Sequence, residues 1–164
     1  MNKLNDLDTL YFKALDLQDK GAFAEAFILL MKGSSLGDAG AQHAVGLAYD
    51  QCLGVEQDKR EAIRWFKKAL RTGKQTFECV AIALTYIELG QRRRAIYWWR
   101  KAVELGDGSG ALSFAKFLIK ANRGKFDSQI INLLKIAANS QESWQISLDE
   151  KEEAEKLLKK FSRK

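Results

Sequence analysis

Residues 61–73, EAIRWFKKALRTG, come back in altered form at residues 94–106 as RAIYWWRKAVELG. Each stretch sets down Ala, then Ile, a bulky aromatic four residues after the Ala, a second Ala three residues later, and a closing Gly. The members are Ala62, Ile63, Phe66, Ala69 and Gly73 in one, and Ala95, Ile96, Trp99, Ala102 and Gly106 in the other. Positions i, i+4 and i+7 share one face of an α-helix. Small residues at the two ends of that face admit a neighbouring helix, and the bulky one between them fills the gap. The same ruler reads Ala26, Leu30, Gly33 upstream and Ile130, Leu134, Ala137 downstream. Its first members stand 36, 33 and 35 residues apart, which is the signature of a repeat array.

A second helix precedes each of these faces. It reads AQHAVGLAYD in the second copy and ECVAIALTYIELG in the third. Gly46 and Ala83 are the small residues where the paired helices cross, with Tyr49 and Tyr86 three positions on; Ala14 and Ala115, followed by Leu17 and Leu118, take those places in the outer copies. Gly21, Gly54, Gly90 and Gly124 mark turns inside the units, and Gly37, Gly73 and Gly106 turns between them. After the fourth copy comes SLDEKEEAEKLLKKFSRK, where Ser147 and Glu150 have capping-box spacing. Ala154, Leu157, Leu158 and Phe161 then form an apolar stripe, which reads as a terminal helix covering the last unit.

The third unit resembles a tetratricopeptide repeat, through Ile82-Ala83, Tyr86, Gly90, Ala95, Trp99 and Ala102. The second resembles the Sel-like subclass of that superfamily, through GDAGAQHAVGLAYDQCLGVEQDKREAIRWFKKALRTG, with Gly54-Val55 and Asp58 ahead of the second helix. Its internal turn is longer: Gly46 to Ala62 is 16 residues, against 12 from Ala83 to Ala95. Cys52 stands where that subclass usually has Gly, and the Pro usual between tetratricopeptide units is missing. The resemblance implies an all-α fold, a short right-handed α-solenoid of four antiparallel helix hairpins (about 5–36, 37–73, 74–106 and 107–140) with a C-terminal capping helix at about 147–162, forming a single domain over 1–164.

Composition agrees with a globular chain: 46% hydrophobic and 29% charged residues, with no Pro and no linker-like tract. No signal-peptide pattern and no long apolar run is present, and the two cysteines suggest no disulfide framework, so a cytoplasmic location is expected. Cys52 and Cys79 are both expected as packed thiols. His43 is the only histidine, and no CxxC, HExxH, GxSxG or phosphate loop occurs. No catalytic residue, metal site or cofactor is expected, and the chain does not read as an enzyme. GDGSG, residues 106–110, reads as a turn between units.

The resemblance places the first helix of each unit on a concave groove. The residues off the small-residue seam are Tyr11, Leu15 and Gln18; His43, Leu47 and Asp50; Val80, Leu84 and Ile87; Leu112, Lys116 and Ile119. Their apolar character in mid-groove points to a protein partner that offers an amphipathic helix or an extended apolar peptide. Lys116 alone matches the cations with which some relatives clamp a carboxylate. The expected function is thus non-catalytic protein binding by a monomer or weak dimer, as an adaptor, an assembly factor or a toxin-neutralising immunity protein. The alternative uses the second helices, where Arg60, Arg64, Lys67, Lys68 and Arg71, then Arg92, Arg93, Arg94, Arg100 and Lys101, interleave with Trp65, Tyr97 and Trp98. With a net charge of +6, that surface suits nucleic acid. No membrane partner is expected.

Overall fold

The computed structural model describes residues 3–73, 75–122, 127–141 and 146–161. Gly124, expected in a turn, lies outside these residues, as do residue 162 and the side chain of Phe161. The fold is all-α. The helices are α1 (Lys3–Asp19), α2 (Phe23–Ser35), α3 (Ala39–Gln51), α4 (Lys59–Gly73), α5 (Phe77–Glu88), α6 (Arg92–Glu104), α7 (Gly108–Ala121), α8 (Ser128–Asn139) and α9 (Leu148–Phe161). They form two compact units, Met1–Glu78 and Cys79–Lys164.

In the first unit α1 packs on α2, α2 on α3, and α3 on α4. The seam residues Ala14, Ala26, Leu30, Ala62, Phe66 and Ala69 are all buried. Gly46 shows why a small residue is needed at the crossing: a Cβ there would stand 2.6 Å from two ring carbons of Phe66. The longer turn between α3 and α4 has a contact of its own. Gly54 has φ +75°, and a Cβ on it would collide with the Phe23 carbonyl at the start of α2. A side chain is excluded there both by conformation and by space.

Two expectations of the sequence are corrected in this unit. Gly73 is the last residue of α4 and has no positive φ; it makes room for Ala39, whose Cβ would lie 2.9 Å from a Cβ added to it. Cys52 is exposed rather than packed. It caps α3 in the left-handed conformation, φ 60°, because the chain must turn there and no glycine is present to do so.

The second unit repeats the plan. Ala83, Ala95, Trp99, Ala102, Ala115, Ile130, Leu134 and Ala137 are buried, as is Cys79. Trp99 stacks on Phe114 with centroids 5.6 Å apart and tilts against Phe117 at 4.9 Å. The Arg94 guanidinium lies over Tyr86, 5.7 Å from its centroid, joining α6 to α5. Aspartates begin α7 and α8: Asp107 Oδ1 accepts from the Gly110 N–H at 2.7 Å and Asp127 Oδ1 from the Ile130 N–H at 2.9 Å. Asp38 does the same for α3 through Ala41, so Gly37-Asp38 and Gly106-Asp107 are matching joints that end one helix and start the next. At α9 the capping box is present. The Ser147 N–H donates to Glu150 Oε2 at 2.9 Å, and the Glu150 N–H donates to Ser147 Oγ at 3.3 Å.

Candidate functional site

Burying Cys79, Ile82, Ala83 and Tyr86 on one side of α5 turns Val80, Leu84 and Ile87 to the other side, again at i, i+4, i+7. Those three residues line an open cleft of about 480 Å³ in the second unit. Leu84 is 47% exposed, and Val80 and Ile87 are half-buried. α7 supplies the facing wall through Ser109, Leu112, Ser113, Lys116, Phe117 and Lys120, and Trp99 of α6 reaches the cleft from below. Leu112, expected on an open wall, is the floor: only 2% of it is exposed. Ile119 is half-buried and lies off the cleft.

The remaining wall comes from α9. Glu150 and Glu153 of α9 line the cleft. Lys116 Nζ sits 2.8 Å from Glu153 Oε1, and the Ser109 hydroxyl donates to Glu150 Oε2 at 2.7 Å. Burial would push the Glu150 carboxyl up. The Ser147 N–H, the hydroxyls of Ser109 and Ser147, and the Lys116 charge outweigh it and hold the group below its ordinary range. Lys116 is therefore already paired within the chain. The indole N–H of Trp99, buried under the apolar floor, has no hydrogen-bond partner among the described residues.

In the first unit the expected groove residues are partly committed to the fold. His43 Nδ1 lies 3.0 Å from Glu78 Oε2, and its ring packs beside Phe66 at 5.5 Å and Phe77 at 5.0 Å. Asp50 pairs with Lys59 Nζ at 3.1 Å, and its carbonyl accepts from Gln57 at 2.8 Å. Tyr11 packs its ring near Gly40; burial, then the nearby Asp38 charge, push its phenol up. Leu15, Gln18 and Leu47 are half-buried. Among the described residues no group of three or more His, Cys, Asp or Glu could hold a metal ion, and no helix is long and apolar enough to cross a membrane.

The Sel1 repeat family model matches residues 39–73, covering α3 and α4, and residues 89–107, covering α6. Those two stretches carry Sel1 repeats. Among solved structures, this repeat chain is similar to a Sel1 repeat protein from Oxalobacter formigenes at 24% identity and a TM-score of 0.63, over 82% of this chain and 57% of that one. It spans little more than half of that protein's length. It is similar to MamA at 19% identity and a TM-score of 0.64, over 93% of this chain and 82% of that one. It is similar to one structure of human IFIT1, described as a dimer with PPP-AAAA, at 21% identity and a TM-score of 0.69, over 92% of this chain and 37% of that one. These likenesses show the helical-repeat fold. No curated protein matches this chain by sequence.

Proposed function

We propose that this chain is a non-catalytic binding module that holds a helical or extended apolar segment of a partner protein. Repeats of this kind mediate protein–protein interaction, and the reading here narrows that role to one surface. The observation that carries it is the stripe of Val80, Leu84 and Ile87, left open to a cleft with Leu112 as its floor. Burying what remains exposed of these three side chains contributes about 2–4 kcal/mol. Association itself costs at least about 4 kcal/mol, so the stripe anchors a segment whose further contacts supply the rest of the affinity. Glu153 takes up the Lys116 charge, so the site favours an apolar segment over a free carboxylate.

A photo-crosslinking residue placed at position 84 tests the reading. A partner protein crosslinks there, and not from Lys135, an exposed residue of α8 that does not line the cleft. Equal yields from the two positions would set the reading aside.

A further inference from the structure

Outside the cleft, the solvent side of α6 carries a second organised surface. Arg93, Tyr97 and Arg100 stand at i, i+4, i+7, and Arg94, Trp98 and Lys101 run beside them at the same spacing. Each row is a cation, an aromatic ring and a cation. Tyr97 is 59% exposed. It meets Trp98 edge-on at 5.5 Å, and Lys101 Nζ lies 5.1 Å from the Trp98 centroid. Trp98 is thereby held in place, and the Tyr97 ring is the one presented to solvent.

Charge on this face is not neutralised from within. Among the described residues Arg92, Arg93 and Arg100 make no ion pair, and the first turn of α6 has no acidic residue. In α4, also a basic helix, part of the charge is paired within the chain, Arg64 with Glu61 and Lys59 with Asp50, and Asp58 caps the first turn. Three arginines in a row at a helix start also oppose the helix dipole, which favours acids there. Arg94 has a structural role, lying over Tyr86 and donating to Gln91. Arg92 and Arg93 have no such partner among the described residues, and a local rule broken without compensation is expected at functional positions.

We infer that the outer face of α6 binds single-stranded nucleic acid, its arginines on the phosphates and Tyr97 stacked on a base. Arg93 and Arg100 are about 10 Å apart along the axis, with the ring between them. An extended polyanion with flat bases matches both the charge and the ring; an acidic peptide would satisfy the cations and leave Tyr97 idle. This surface is separate from the cleft, and its occupancy does not depend on a protein partner.

Fluorescence anisotropy with a labelled oligothymidine of about 12 nucleotides tests the inference. Binding is expected at about 50 mM salt and weakens steeply as salt rises. R93Q/R100Q lowers the slope of log affinity against log salt by about 0.7 per lost phosphate contact. Tyr97→Ala weakens binding by about tenfold and leaves the slope unchanged. All three residues are exposed, so circular dichroism should show the helical fold retained in both variants. Four results would overturn the inference: no binding at that salt, binding unaltered by the variants, equal competition by polyglutamate, or capture by anionic vesicles but not by the oligonucleotide.

Discussion

Gly46 faces the Phe66 ring so closely that a Cβ at Gly46 would lie 2.6 Å from Cδ1 and Cε1 of that ring. This pair is the small-and-large seam of the repeat in its tightest form, and it gives the fold its first test. Gly46→Ala improves helix propensity by about 1 kcal/mol, yet overpacking costs about 1–3 kcal/mol, so a net loss is expected. Pairing it with Phe66→Leu should recover part of that loss in a double-mutant cycle read by urea denaturation. A Gly46→Ala protein more stable than the parent would show that the seam has slack.

Cys52 departs from the repeat pattern at a residue with φ 60°. Cys52→Gly removes the strain of a side chain in the left-handed region and should stabilise the protein by about 0.5–1 kcal/mol. Cys52→Val should destabilise it by a similar amount. Thermal midpoints of the two variants on opposite sides of the parent are the expected pattern.

Glu78 is 2% exposed, and its carboxylate has His43 beside it. His43→Leu leaves the buried Glu78 carboxyl without that hydrogen-bond partner and should cost about 1–3 kcal/mol. Replacing both residues by Leu should restore most of the stability. A double variant as weak as the single one would mean that the pair contributes shape rather than a hydrogen bond.

Glu150 joins α9 to α7 through Ser109 and closes the capping box of α9. Its folded-state carboxyl lies below the ordinary range, so its contribution is present above about pH 4.3 and is lost as pH falls through the folded value. Glu150→Ala should cost about 1 kcal/mol at neutral pH. The gap between parent and variant should shrink toward pH 3. A gap that widens on acidification would reverse the assignment.

The sequence held the seam in full. Ala26, Leu30, Ala62, Phe66, Ala95, Trp99, Ile130 and Leu134 are all in the core, because close helix crossing demands small residues at fixed spacing, and that demand is written locally. The stripe of Val80, Leu84 and Ile87 was legible for the same reason, being the opposite face of α5. That α9 covers the last unit was legible from its apolar stripe. Its polar side was not: nothing in the order of residues says that Glu150 and Glu153 turn toward Ser109 and Lys116, a tertiary pairing some forty positions apart. Leu112 could not be told apart from its neighbours by period alone, since its burial depends on what packs over α7. Gly73 looked like a cap and proved to be a spacer against Ala39, a distinction made only by backbone conformation.

Leu84 gives the most direct test of the cleft as the working surface. It is 47% exposed, so Leu84→Asp should change the unfolding midpoint little and leave the circular dichroism helical. The account predicts that this substitution lowers partner capture by about tenfold or more, while Lys135→Asp captures as the parent does. A partner retained undiminished by a stably folded Leu84→Asp protein would contradict it.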